Sequence, residues 1–175
     1  GSGLERQPVG GSSDESSRRS VKPNQVWAMD ITYSPMAKGF VYLTCVMDIY
    51  SRKILSSVIS NTVEASFCVD AYIEAVRLYG APEIINTDQG SQFTSDAFVA
   101  AVAASGARLS MDGKGAWTDN IFIERFWRSL KYEEVYLRAY DTVADAKRWI
   151  YRYIERNNTI RPHSSLGGKT PNKIQ

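Results

Sequence analysis

The chain has 175 residues, which suits one ordinary domain with some tail. Apolar residues make up 43% and aromatic residues 11%, enough to bury a core, so a wholly disordered chain is excluded. The formal net charge of +2 permits nucleic-acid binding without arguing for it, and the sequence shows neither a membrane-length apolar run nor a secretory leader pattern. A soluble intracellular protein is the expectation. Residues 1–21 are rich in Gly and Ser and read as a disordered tag or linker, with GSGLE as a cloning scar. From residue 26 the pattern turns apolar. VWAMDITY (26–33) and FVYLTCVMDI (40–49) read as strands joined by a hairpin whose loop spans 34–39. SRKILSSVIS (51–60) reads as a third strand, completing an antiparallel meander.

A helix follows, with Asn61 or Thr62 as its cap and Gly80 as its stop. Val69, Tyr72, Val76 and Tyr79 recur at helical spacing along it. EIINTD (83–88) reads as a buried strand and DQGSQF as a loop. Thr94 or Ser95 caps a short helix that runs through Ala104 and stops at Gly106. ARLSM (107–111) is a fifth strand and DGKGAWTDN a flexible loop. Two helices, 119–136 and 142–157, precede a Pro/Gly-rich tail at 161–175. This order predicts an α/β fold: a mixed five-stranded sheet, three antiparallel meander strands plus two further strands, flanked by helices, with the core at 22–160. Cys45 and Cys68 sit inside apolar runs with no Cys/His cluster nearby, so buried free thiols are expected rather than a zinc site.

Three carboxylates stand out. Asp30 lies in the middle of an apolar strand, where an ionised group is costly unless it faces solvent or finds a partner. Asp88 ends a strand and opens a glycine-containing loop, a place where ligands gather in mixed sheets and also where turns begin. Glu124 lies near the start of a helix, where an acid also simply complements the dipole. Brought together, three such acids would repel one another unless cations neutralise them. Hard oxygen ligands suit Mg²⁺ or Mn²⁺, and two such ions can clamp the attacking and leaving oxygens of a phosphodiester. Asp48, Asp96, Asp112 and Asp119 read instead as turn, helix-start, loop and cap residues.

PNQVWAMDITY, NTDQGSQFTS, SMDGKGAWTDNIFIERFWRSLKYEEVYL and RPHSSLGGKTP together resemble the bacterial insertion-sequence transposases with a retroviral-integrase-like D-D-(35)-E core. The resemblance runs from about Lys22 to the end of the chain. It implies a ribonuclease-H-like fold and a catalytic, metal-binding triad of Asp30, Asp88 and Glu124, with 35 residues between the last two. It implies DNA cleavage and strand transfer with Mg²⁺ or Mn²⁺, two ions in the active complex. Its partners would be transposon ends and target DNA, with a homo-oligomer, a dimer by analogy, in the bacterial cytoplasm near the nucleoid and away from membranes. The family's end-binding helix-turn-helix has no counterpart in residues 1–20. Relatives also often carry other residue types where Ala116 and Thr118 stand.

For DNA contacts, Arg128 and Lys131 follow Glu124 by four and seven residues and share its helix face. Integrases, which this core resembles, carry DNA-contacting lysines at those offsets. Lys114 is a phosphate candidate, Trp117 a base-stacking candidate and Gln92 a further contact near Asp88. Lys147, Arg148, Arg152 and Arg156 form either a phosphate-tracking stripe or an ordinary solvated face. The lone histidine, His163, reads as structural. Two competing readings stay open: a ribonuclease-H-type nuclease that only hydrolyses, and a catalytically silent DNA-binding or assembly module. A strand-transfer assay separates the first, and metal titration the second.

Overall fold

The computed structural model describes residues 20–111 and 117–159 together with Pro171, and of 117–119 the backbone alone. The expected linker and tail lie almost wholly outside these residues. The strands are β1 (Val26–Pro35), β2 (Phe40–Asp48), β3 (Ile54–Ser60), β4 (Ile84–Asn86) and β5 (Arg108–Ser110). The helices are α1 (Ala65–Tyr79), α2 (Ser91–Thr94), α3 (Asp96–Ser105), α4 (Trp117–Glu133) and α5 (Val143–Thr159), with a 3₁₀ turn at Val135–Leu137. The strands form one sheet in the order β3-β2-β1-β4-β5. The meander is antiparallel, whereas β4 pairs parallel with both β1 and β5. The mixed five-stranded sheet inferred from the residue pattern is therefore the one observed.

Side-chain alternation along β1 divides the core. Val26 and Ala28 point to the face covered by α4 and α5, where they meet Leu43, Cys45, Ile123, Phe126, Trp127, Leu130 and Ile150. Trp27 and Met29 point to the opposite face, where α1 and α3 supply Phe67, Cys68, Tyr72 and Phe98. Each large side chain so buried contributes about 1.5–3 kcal/mol of transfer free energy. Both cysteines are buried free thiols, as expected.

Several local expectations are corrected. The β1–β2 hairpin is tighter than the 34–39 loop implied, because Pro35 pairs with Phe40 and Met36 N–H donates to Gly39 O at 3.0 Å. Asp30 consequently pairs with Cys45, whereas a 34–39 loop would set it opposite roughly Leu43 or Thr44. β3 starts at Ile54 because Asp48 draws the chain after it into a turn, accepting from Ser51 N–H at 2.9 Å and Ser51 Oγ–H at 2.7 Å. Neither Asn61 nor Thr62 caps α1: Thr62 N–H is tied to Ser60 Oγ at 3.1 Å, and Glu64 holds the cap position without a side-chain bond. Gly80 does end α1, at φ 79°, its amide bonded to Val76 O at 2.8 Å. Ser95 caps α3 through Phe98 N–H at 3.2 Å. The expected DQGSQF loop contains the single turn α2. α4 begins at Trp117, so Asp119 lies within it rather than capping it.

Candidate active site

The parallel pairing of β1 with β4 sets the site. Ala28 is in register with Asn86, and two residues further along each chain stand Asp30 and Asp88. Asp30 stays within β1, while Asp88 follows the last residue of the neighbouring strand β4 by two, with paired strands about 4.8 Å apart. Asp30 shares the parity of Val26 and Ala28 and so faces α4. Its carboxylate Oδ2 accepts a hydrogen bond from the indole Nε1–H of Trp127 at 3.1 Å. Glu124 lies three residues before Trp127 on the same helix and is exposed. The apolar side chains that seat the helix include Ile123, Phe126 and Leu130. Asp88 opens a tight turn: Gly90 N–H donates to its Oδ1 at 2.7 Å. A Cβ on residue 90 would stand 2.8 Å from that oxygen, so only glycine allows this close approach without displacing the carboxylate.

Electrostatic effects run between the same three acids. Burial holds the Asp30 carboxyl above its ordinary range, and the negative charges of Asp88 and Glu124 push it the same way. Hydrogen bonds from Ile31 and Trp127 oppose the rise. Burial, with the Asp30 charge behind it, likewise drives Cys45 well above the usual thiol range. Asp30 is thus a half-buried acid with two other carboxylates, Asp88 and Glu124, acting on it, and oxygen donors of this kind suit a hard divalent cation. Among the described residues, no three His, Cys, Asp or Glu side chains stand close enough to form a ready-made metal cage.

Arg128 is exposed, 5.8 Å from the ring centroid of Tyr132, and Lys131 is half-buried with its Nζ 5.6 Å from that of Tyr33. Gln92 lies on α2, beyond the Asp88 turn. Lys114, Asp112 and His163 fall outside the described residues, as does the Trp117 side chain. On α5 all four cations are exposed, and Arg148 and Arg152 flank Trp149 at 5.2 and 5.7 Å. Asp48 is a buried turn residue, three positions along β2 from Cys45, the partner of Asp30. Trp127 and Gly90 were not singled out by sequence reasoning. Trp127 reads as one more apolar residue of an amphipathic helix, although a buried indole N–H that needs an acceptor was a usable signal.

A mixed sheet of this order, with the long helix α4 packed against its central strand, defines a ribonuclease-H-like α/β core. Two sequence profiles, both described as Integrase core domain, match residues 20–116 and 105–171. The chain belongs to the integrase core domain family. It is 36% identical over 160 residues to the transposase for insertion sequence element IS904 of Lactococcus lactis, covering 90% of this chain and 63% of that protein. It is 33% identical over 156 residues to the transposase InsF for insertion sequence IS3A of Escherichia coli, covering 87% of this chain and 54% of that one. The chain thus spans a little over half the length of these relatives. In structure it is similar to the HTLV-2 integrase catalytic core domain in complex with magnesium, with a TM-score of 0.71 at 23% identity, covering 89% of this chain and 99% of that one. A simian T-cell lymphotropic virus intasome chain gives a TM-score of 0.75 at 21% identity, covering 90% of this chain and 56% of that one.

Proposed function

We propose that the chain is the catalytic core of an insertion-sequence transposase, cutting DNA at transposon ends and joining those ends to a target. One observation carries the reading: Asp30 sits on the central strand β1, which pairs with the strand that leads to Asp88, and its carboxylate accepts a hydrogen bond from Trp127 of the helix that bears Glu124. Asp30, Asp88 and Glu124 would hold Mg²⁺ or Mn²⁺, two ions in the active complex. Bound there, the ions supply activation of an attacking water or 3′-hydroxyl and stabilisation of the leaving oxygen. The chain's own part is to fix the three carboxylates on the central strand, the turn after β4 and the helix α4, and to steer the phosphate backbone. Phosphoryl transfer then needs no covalent enzyme intermediate. Arg128 and Lys131, on the helix face of Glu124, would neutralise phosphates, with Lys114, Trp117 and Gln92 as further contacts. A dimer on DNA is the working assembly, by analogy with relatives.

The deciding experiment incubates the protein with end-labelled transposon-end duplexes and Mg²⁺ and looks for products longer than the substrate. Hydrolysis without joined products would reduce the function to that of a nuclease. A total absence of metal binding would reduce it to a DNA-binding module.

Two further results are expected. Replacing both Arg128 and Lys131 with Ala lowers the slope of log affinity against log salt by roughly 2, one unit for each phosphate that is no longer neutralised. An unchanged slope in a fluorescence-anisotropy titration excludes them from the interface. Gly90→Ala pushes Asp88 off its turn while leaving the backbone torsions ordinary, since Gly90 has φ −61°. Strand cleavage is expected to fall about tenfold, or about 1.4 kcal/mol in barrier, with the melting temperature nearly unchanged. Parental cleavage in this variant would show that the Asp88 turn does not matter.

A further inference from the structure

Trp127 touches the proposed site without being one of its acids. Its indole is 6% exposed, packs against Phe126 with ring centroids 5.4 Å apart, and donates to Asp30 Oδ2 across 97 residues of sequence. This bond is not the default fate of a buried tryptophan here. Trp27 is fully buried, and its Nε1 has no hydrogen-bond partner among the described residues. An indole N–H donates and never accepts, so the oxygen it holds is committed to the acceptor role of a carboxylate. The bond also links the two elements that carry site acids. Glu124 is three residues away along α4, about 4.5 Å of axial rise, and Asp30 is on the central strand β1.

We infer that Trp127 is a positioning residue: its indole N–H fixes the rotation of the Asp30 carboxylate and locks α4 in the register that brings Glu124 to β1. The inference rests on the reading of Asp30, Asp88 and Glu124 as the metal-holding set. Outer partners of ligating carboxylates orient them, and losing one costs on the order of 10–100-fold in metal affinity. A purely structural tryptophan would alter stability and leave that affinity alone.

The test uses the full chain without DNA. Mn²⁺ affinity is measured by calorimetry in the parent, Trp127→Phe, Trp127→His, Asp30→Asn and the Asp30→Asn/Trp127→Phe double variant. The Phe ring keeps the packing and removes the donor. Roughly tenfold weaker Mn²⁺ binding is expected, with metal-free DNA affinity unchanged. The His ring restores an N–H and is expected to recover part of the loss. The double variant is expected to bind Mn²⁺ no better than Asp30→Asn alone. Parental Mn²⁺ affinity in a folded Trp127→Phe protein overturns the inference. Should that variant fail to fold, the parent itself decides: the Trp127 indole proton resonance must shift on Mg²⁺ titration with the same midpoint as metal binding, and an unmoved resonance overturns the inference. If Asp30→Asn binds Mn²⁺ as the parent does, the metal-site reading itself has failed. If Asp30→Asn loses the metal but Trp127→Phe does not, only the role of Trp127 falls.

Discussion

Asp30→Asn should lose strand cleavage and joining by at least about 10³-fold, more than 4 kcal/mol of barrier, and yet melt higher than the parent in metal-free buffer. The two halves of this result have one cause. Asp30 is pushed above its ordinary value of 3.8 by burial first and by Asp88 and Glu124 after that. A carboxyl with a raised folded-state pKa holds its proton more tightly folded than unfolded. Between the unfolded value and the raised folded value the native state therefore carries more protons, and stability falls as pH rises through that window. Above that window the metal-free protein bears the cost of an ionised Asp30. Asparagine removes the charge and still offers an oxygen to the Trp127 indole. A rise of about 2–4 °C in melting temperature is expected, shrinking as the pH is lowered below the ordinary aspartate range. Added Mn²⁺ should stabilise the parent and not the variant. Calorimetric melts at pH 3.5 and pH 7.5 check the sign, and full activity in Asp30→Asn would remove Asp30 from the chemistry.

The opposite outcome is expected for Asp48→Asn. This aspartate is also borne on a strand, and it is fully buried. Its two oxygens accept from Asn24 N–H at 2.9 Å, Ser51 N–H at 2.9 Å and Ser51 Oγ–H at 2.7 Å. The turns it ties contain Asn24 at φ 63° and Arg52 at φ 65°, left-handed conformations that a non-glycine residue adopts at some cost. An asparagine amide must turn its NH₂ toward at least one of these donors, leaving a buried N–H unmet. The loss is about 2–4 kcal/mol, or roughly 10 °C in melting temperature. Cleavage per folded molecule should be unchanged, because the bonds that Asp48 accepts tie the turns at Asn24 and Ser51 and not the Asp88 turn. Urea titration gives the stability, and a cleavage defect beyond the unfolded fraction would place Asp48 in the chemistry after all.

These two aspartates show how far the sequence can be read. Both sit in apolar strand runs, and composition does not distinguish them. The turn signal before Ser51 set Asp48 apart, and the resemblance to the D-D-(35)-E transposases singled out Asp30. Strand identities were legible because apolar alternation is local, and helix ends were legible where Gly80 and Gly106 stop them at positive φ. Hairpin register was not, because Gly39 allows a tighter loop than its polar residues suggest, and one residue of slip moves every partner. The Trp127 bond was invisible for a different reason: it joins residues 97 apart, and no local pattern encodes a contact at that range.

The order of strands in the sheet has a consequence for how the chain comes into being. The β1–β2–β3 meander is built from contacts between sequence neighbours and can form while the chain is short. Asp30 is then in place, but its neighbour strand β4 begins at Ile84 and the helix bearing Glu124 ends at Glu133. Pairings this distant carry a large loop-closure cost and come late in folding. If the three acids act together as proposed, a growing chain would carry no assembled set of them until α4 has been synthesised and has docked.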